Sequence, residues 1–145
     1  MKAGQVTTIG SDHSPSPPEM KAEKNFFKVW GGISGVQHLL PLLLDLGMDL
    51  DLLAGMAASN VAERFRISPR KGSLAIGADA DFVLADLGAV ETIAADSLQY
   101  RHPHSPYVGR RVSGVVQHTF LRGQPVVYNR RLTGSKLGQL IKPNP

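Results

Sequence analysis

An adjacent carboxylic acid and imidazole, Asp12 and His13, are the residues of this sequence best suited to chemistry. They follow a short β-branched run, residues 6–9, which predicts a buried strand. Pro15 and two further prolines close behind it exclude regular structure and predict a stiff loop. A strand that ends in a carboxylate before a rigid loop is how β/α barrels present catalytic groups. The alternative is a turn in which Asp12 caps local amides.

A second candidate for ligand binding is a glycine-rich loop that comes directly after the only tryptophan. It consists of Gly31-Gly32-Ile33-Ser34-Gly35 and follows an apolar stretch, residues 26–30. Three glycines in five residues permit close approach of the backbone to a small ligand. A tight turn between the apolar stretch and the next helix is the alternative, and the residues by themselves leave both open.

Apolar residues at helical spacing then predict three helices, over residues 36–46, 50–58 and 61–65. Gly47 is typical of a left-handed cap at the end of the first helix. Asp49 favours the start of the second helix, and Ser59-Asn60 that of the third. His38 lies inside the first helix, and we interpret it as structural rather than as a ligand.

From residue 67 onward the pattern changes from helices to short strands. Turns rich in Gly and Asp occupy residues 68–72 and 77–81. The sequence predicts strands over residues 73–76, 82–86, 112–121 and 125–128. A hairpin at Arg122-Gly123-Gln124 joins the last two strands. Short strands between such turns are typical of a small sheet, whereas residues 87–101 give no clear prediction.

The overall composition excludes several classes of protein. The 145 residues suffice for one domain but fall well short of the roughly 250 of a complete β/α barrel. The absence of cysteine excludes disulfides and thiolate metal sites, and it fits a reducing, cytoplasmic compartment. No apolar run approaches about 18 residues and the N-terminus is polar, so we expect no membrane span and no secretory signal. The net charge is +4, but scattered basic residues and few aromatic residues argue against a nucleic-acid partner.

Longer stretches of the sequence resemble the C-terminal part of the allantoinases, cyclic amidohydrolases related to dihydroorotase and hydantoinase. Ser11-Asp12-His13-Ser14-Pro15 and the stretch 26–35 point to the allantoinases in particular. The resemblance extends to about Arg131. Further pieces are shared with the wider group: residues 59–62, Lys71-Gly72, Gly77-Ala78-Asp79-Ala80-Asp81, residues 104–109 and residues 119–123.

This resemblance implies an α/β fold and a catalytic centre. Residues 1–66 would form the last strand and helices of a TIM-type β/α barrel, residues 67–131 part of a small β-sandwich, and residues 132–145 a mobile tail. The implied centre holds two divalent metal ions, usually zinc, and opens the hydantoin ring of allantoin to give allantoate. Asp12 matches the aspartate that binds one metal, takes a proton from the attacking hydroxide and passes it to the leaving nitrogen.

The resemblance also implies a substrate pocket and further ligands. Ser16 matches a pocket-lining position at which allantoinases often have cysteine, and the backbone of Gly31, Gly32, Ile33 and Ser34 would hold the amide edge of the ring. The related enzymes carry a His-x-His pair, a carboxylated lysine and two more histidines, all of which would precede Met1. His102-Pro103-His104 has the spacing of that pair but lies near the C-terminus, so we interpret it as structural.

One carboxylate cannot hold two divalent ions, because a stable site needs three or four protein ligands. We therefore expect no hydrolysis of allantoin by this chain alone. The expected partners are the cyclic amide and either a complementing N-terminal segment or further copies of the chain, since relatives form tetramers and the sandwich would have open edges. Two alternatives stay open: a hydantoinase or dihydropyrimidinase, and a non-catalytic amidohydrolase-like oligomerisation module.

Overall fold

A layer of helices comes before a four-stranded antiparallel sheet in the computed structural model of the protein, which describes residues 5–134 and 136–144. The strands follow one another in the order β1-β2-β3-β4, each pairing with the next. The helices are α1 (Leu39–Asp45), α2 (Leu50–Ala54) and α3 (Asn60–Arg64), and the strands are β1 (Phe82–Thr92), β2 (Arg111–Leu121), β3 (Gln124–Tyr128) and β4 (Arg131–Leu132).

The first predicted helix is confirmed, with a tighter first turn than expected. Val36–His38 form one turn of 3₁₀ helix before α1 begins. Gly47 has a φ of 62°, which confirms the predicted left-handed cap. Asp49 accepts a hydrogen bond from the Leu52 amide at 3.0 Å, so the predicted N-cap of the second helix is also confirmed.

The second and third predicted helices form one continuous helical segment, so the cap predicted at Ser59-Asn60 is wrong. A π-helical turn, Gly55–Ser59, joins α2 directly to α3. Asn60 has helical backbone angles, and its side-chain Nδ2 donates to the carbonyl of Thr7 at 2.8 Å. A tertiary contact therefore uses the side chain that the local pattern assigned to a helix end.

The buried strand predicted over residues 6–9 is wrong, because these residues form no regular structure and pair with no strand in the described part of the chain. The helical layer holds them instead, through Asn60 and through the Ile9 amide, which donates to the carbonyl of Met56 at 3.1 Å. Val6 is 41% exposed. A barrel strand needs parallel neighbours on both sides, and residues 5–134 and 136–144 offer this segment none.

The sheet is longer in one place and shorter in another than the sequence predicts. β1 continues past the predicted end at Asp86 to Thr92, because register shifts between Asp86 and Val90 absorb the irregular residues. The predicted strand over residues 73–76 is wrong, since no strand among the described residues lies beside it and Leu74 is 72% exposed.

The hairpin between β2 and β3 has two residues rather than the predicted three. Arg122 and Gly123 both have positive φ, 49° and 75°, which matches the right-handed twist of the flanking strands. Gln124 therefore begins β3 and pairs with Leu121.

α1 packs closely on the first half of β2. Gly114 has a φ of 83°, and a Cβ there would lie 2.7 Å from the Cβ of Leu44, so only glycine fits this approach. Asp45 accepts hydrogen bonds from the Ser113 amide at 2.9 Å and from the Arg110 guanidinium at 3.2 Å. These two hydrogen bonds hold the pKa of the Asp45 carboxyl below its ordinary value. Beside this contact lies a core cluster of Ile93, Leu98 and Val112, with Leu42, Tyr100 and Tyr107 packed against it.

Ion pairs join the two turns that precede β1 to each other, and a hydrogen bond joins the second turn to the β2–β3 hairpin. Lys71 pairs with Asp79 at 2.8 Å and with Asp81, and Arg70 pairs with Asp79 at 3.0 Å. Asp81 also accepts a hydrogen bond from the Arg122 amide at 2.7 Å. The hydrogen bond from Lys71 is the main reason that the pKa of Asp79 lies below its ordinary value.

We expect Asp79→Asn to destabilise the chain at neutral pH and to have less effect in acid. Because folding lowers the pKa of Asp79, its contribution is complete above the ordinary pKa of 3.8 and is lost as the pH falls through the lower folded value. Thermal unfolding followed by circular dichroism at neutral and acidic pH measures the difference from wild type. Asp96→Asn is the control, since the exposed carboxylate of Asp96 has no hydrogen bond or ion pair within the described ranges. A difference that stays constant with pH would contradict the prediction.

Residues 136–144 run back along the protein and contact it at two places. The guanidinium of Arg122 donates to the carbonyl of Leu137, and the Asn144 amide donates to the carbonyl of Arg66 at 2.6 Å. The domain boundaries and the mobility of the tail stay predictions. No helix in the described part of the chain is long and apolar enough to cross a bilayer.

Candidate active site

Asp12 lies exposed on the loop that follows residues 6–9, with a left-handed φ of 45°. Aspartate tolerates this conformation better than most residues with a side chain. Within residues 5–134 and 136–144 its carboxylate accepts no hydrogen bond and joins no ion pair. The carboxylate is therefore available to a cation or a substrate from outside this chain.

His13 ties this loop to the glycine-rich loop. Its Nδ1 accepts hydrogen bonds from the backbone amides of Gly35, at 3.1 Å, and Val36, at 3.4 Å. Because an amide can only donate, Nδ1 carries no proton, and the proton of the neutral ring is assigned to Nε2. The Ser14 amide also donates to the carbonyl of Ile33 at 2.9 Å, as part of a parallel bridge between the loops.

Gly32 is required by the contact between the two loops. A Cβ at this position would lie 2.7 Å from the backbone oxygen of Ser14 and closer still to the Ser14 side chain. Lys21 donates to the carbonyls of Trp30 and Gly32, and the Trp30 indole donates to the carbonyl of Ser14 at 3.4 Å. By contrast, a Cβ on Gly31 would meet nothing within 4 Å. The loop is thus a fixed structure in which one glycine is sterically necessary and its neighbour is not.

The two serines assigned to the substrate pocket are both buried, Ser16 at 3% and Ser34 at 1% exposure. Neither hydroxyl has a hydrogen-bond partner among the described residues. A buried polar group without a partner costs about 1–3 kcal/mol, which makes such groups markers of sites that bind something further. The backbone carbonyls of both serines, in contrast, accept hydrogen bonds from residues 104 and 105.

The structure therefore brings all the predicted site residues onto two contacting loops. Asp12 and Gly31 are exposed, Gly32 and Ile33 are half-buried, and the two serines are buried. The roles assigned to these residues stay predictions.

Sequence reasoning missed Tyr100, His104 and Ser105, which lie far along the chain and contact these loops. The motif around His104 signalled the family, but only the fold brings it to the site.

The half-buried Tyr100 and the buried His38 lie next to the loops. The Tyr100 hydroxyl accepts a hydrogen bond from the Gln37 amide at 3.1 Å and lies 3.2 Å from His38 Nδ1. Burial lowers the pKa of His38, with Glu91 opposing the shift, and burial raises the pKa of Tyr100. Both groups are therefore neutral at physiological pH, and His38 has the setting of a structural histidine.

Asp12 is the residue of this site that the sequence predicts to bind a metal ion. No group of three or more His, Cys, Asp or Glu side chains that could hold a metal ion occurs in the described ranges. The exposed, unpaired carboxylate of Asp12 fits a divalent cation as a single ligand. A complete centre would need further ligands from residues outside this sequence.

Comparison with known proteins identifies the family to which the two loops belong. The model of the amidohydrolase family matches residues 1–126. The chain belongs to the amidohydrolase family. This confirms the resemblance seen in the sequence.

Curated relatives of this amidohydrolase chain include allantoinases from several bacteria. The allantoinase of Deinococcus radiodurans is 47% identical over 97% of the chain, which corresponds to 32% of that protein. The allantoinase of Rubrobacter xylanophilus is 44% identical with the same coverage. The chain therefore spans about a third of the length of the curated relatives it matches.

Solved structures confirm the predicted fold class, part of a β/α-barrel amidohydrolase with an attached small sheet. The L-hydantoinase (dihydropyrimidinase) from Arthrobacter aurescens superposes with a TM-score of 0.85 at 32% identity, covering 89% of this chain and 30% of that one. The D-hydantoinase (dihydropyrimidinase) from Thermus sp. gives a TM-score of 0.88 at 27% identity, covering 95% of this chain and 32% of that one.

Proposed function

We propose that this amidohydrolase chain is part of an allantoinase-type enzyme, which hydrolyses the cyclic amide of allantoin to give allantoate. The observation that carries the proposal is the exposed, unpaired carboxylate of Asp12 on a loop that is tied to a glycine-rich loop. Both loops lie in a sequence that is 40–47% identical to allantoinases. The lack of cysteine supports a cytoplasmic location.

Members of the amidohydrolase family are generally binuclear metal enzymes, and we propose zinc for this one. When bound, two such ions lower the pKa of water and polarise the carbonyl of the substrate amide. Asp12 would bind one ion and would carry a proton on a carboxylate oxygen from the attacking water to the leaving ring nitrogen. The remaining ligands would come from residues outside this sequence.

The substrate ring would lie against the backbone of the glycine-rich loop. The carbonyls of Gly32, Ile33 and Ser34 each accept an internal hydrogen bond and keep a second lone pair. These bonds hold the peptide groups of the loop in place before any ligand arrives. A fixed polar edge of this kind suits a planar ring whose N–H and C=O groups alternate.

Exposed apolar side chains are evidence that this chain contacts a partner. Val36, Leu50 and Leu87 lie exposed around the cleft between the helices and β1, and Leu74 and Ile76 lie exposed before β1. Apolar side chains that lie exposed around one cleft are typical of an interaction site. We propose that it is covered by the remaining part of a complete enzyme, with further copies of the chain as the alternative.

Two other functions rest on specific observations. The hydantoinase structures at 27–32% identity favour a hydantoinase or dihydropyrimidinase, although the allantoinases are more similar in sequence. The exposed apolar cleft also suits a non-catalytic oligomerisation module.

A hybrid enzyme tests these functions. The aligned third of the Deinococcus radiodurans allantoinase is replaced by this chain, and the zinc-loaded hybrid is assayed with allantoin, hydantoin and dihydrouracil. We expect preferential turnover of allantoin, and no turnover by the isolated chain. Preference for hydantoin or dihydrouracil would favour the hydantoinase alternative. A folded, metal-loaded hybrid without any turnover would favour the non-catalytic module.

A further inference from the structure

One segment far along the chain contacts both loops of the candidate site. Residues 97–107, here called the brace, lie in the connection between β1 and β2 and contact the loops that carry Asp12 and Gly32. The brace is anchored in the core through Leu98, which is buried against Ile93 and Val112. The brace therefore connects the core beside the sheet to the loops of the site.

His104 holds the loop of Asp12. Its Nε2 lies 2.6 Å from the backbone carbonyl of Ser16, which can only accept a hydrogen bond, so Nε2 carries the proton. Ser16 comes four residues after Asp12 and is itself buried. The contact fixes the loop at its buried end, while the carboxylate at the other end stays exposed.

Ser105, the next residue, holds the glycine-rich loop. Its hydroxyl donates to the backbone carbonyl of Ser34 at 2.9 Å. Two consecutive side chains of the brace thus bond to carbonyls of the two different loops.

Tyr100 and Gln37 form a third link between the brace and the site. The ring of Tyr100 lies 5.2 Å from that of His13, measured between centroids. Gln37, just after the glycine-rich loop, donates from its side chain to the Ser97 carbonyl at 2.9 Å and accepts from the Gln99 amide at 2.8 Å. These reciprocal bonds fix the brace in register with the loops.

We propose that the brace sets the distance between the Asp12 loop and the glycine-rich loop, with His104 as the positioning residue for Asp12. His104 touches no reacting atom in this scheme. It acts through the carbonyl of Ser16, and its effect on catalysis rests on the proposed function.

The test compares His104→Ala with a matched control, His102→Ala. His102 lies two residues away on the same segment, and its side chain makes no hydrogen bond or ion pair in the described part of the chain. The first readout uses the isolated chain: amide hydrogen exchange of Ser14 and Gly35 by NMR, and the ¹⁵N shifts of the His104 ring. We expect an Nε2–H ring in the wild type and faster exchange in His104→Ala only.

The second readout uses the zinc-loaded hybrid enzyme. We expect His104→Ala to lower kcat by up to about 10²-fold with a smaller change in KM, because a misplacement of about 1 Å in a catalytic group has an effect of this size. His104→Gln should recover most of the rate, since its side-chain amide can donate to the same carbonyl. His102→Ala should leave kcat unchanged.

The two readouts separate the two proposals. If the wild-type hybrid is inactive, the proposed function fails. The amide exchange rates of the isolated chain still test whether the brace positions the two loops. Equal exchange rates and equal kcat values for His104→Ala and His102→Ala would overturn the proposal, as would an Nδ1–H ring at His104 in the wild type.

Discussion

Asp12→Asn in the zinc-loaded hybrid enzyme should lower kcat for allantoin by about 10²–10⁴-fold. The asparagine amide cannot take up a proton at neutral pH, and it presents a neutral oxygen to a cation in place of a charged one. The substitution preserves the size of the side chain. Since the carboxylate has no partner within the described ranges, the substitution should remove no hydrogen bond or ion pair that stabilises the folded chain.

The measurements for Asp12→Asn are kcat, metal content per chain and thermal unfolding. We expect a large loss of kcat, reduced metal content and an unchanged unfolding temperature for the isolated chain. Asp96→Asn serves as the control for loss of a negative charge at an exposed position. Retention of more than a tenth of the wild-type rate by Asp12→Asn would show that another group moves the proton.

Gly32→Ala should separate the two loops of the site, whereas Gly31→Ala should have little effect. The new methyl group on residue 32 would lie 2.7 Å from the backbone oxygen of Ser14, which cannot move without displacing the Asp12 loop. Overpacking of this kind costs about 1–3 kcal/mol of folding free energy. A shift of about 1 Å in the carboxylate would cost a further 10²-fold in rate.

The neighbouring glycine makes this a matched comparison, since a methyl group on residue 31 meets nothing within 4 Å. Denaturant unfolding of the isolated chains and kcat of the hybrids measure the two effects. Equal stability and equal rates for the two variants would contradict the close contact between the loops.

Sequence patterns predicted the structure correctly where it depends on a few adjacent residues. Gly47 ends α1 and Asp49 begins α2, because a left-handed cap and a side-chain cap depend on a few adjacent residues. The hairpin at Arg122 and Gly123 was located for the same reason, within one residue. The family was also readable from the sequence, because its motifs are short and contiguous.

Sequence patterns gave wrong predictions where a contact with a distant segment decides the local structure. Residues 6–9 have strand propensity but form no ladder, since a strand exists only beside another strand. Asn60 has the side chain of a helix cap, but it donates a hydrogen bond to the carbonyl of Thr7 because the fold brings residues 6–9 within reach. β1 continues beyond its predicted end at Asp86 because β2 supplies partners as far as Thr92.

For the candidate site, the sequence by itself determined the residue types: a carboxylate at Asp12, small residues at Gly31 and Gly32, and the family to which they belong. Only the tertiary structure decided that the two loops touch, that Gly32 is the glycine this contact requires, and that His104 lies at Ser16 across 88 positions of sequence. The physical reason is distance along the sequence. A side chain's chemistry depends on its residue type, and its local backbone preferences depend on adjacent residues. The neighbours that orient it come from distant segments, which only the folded chain brings together.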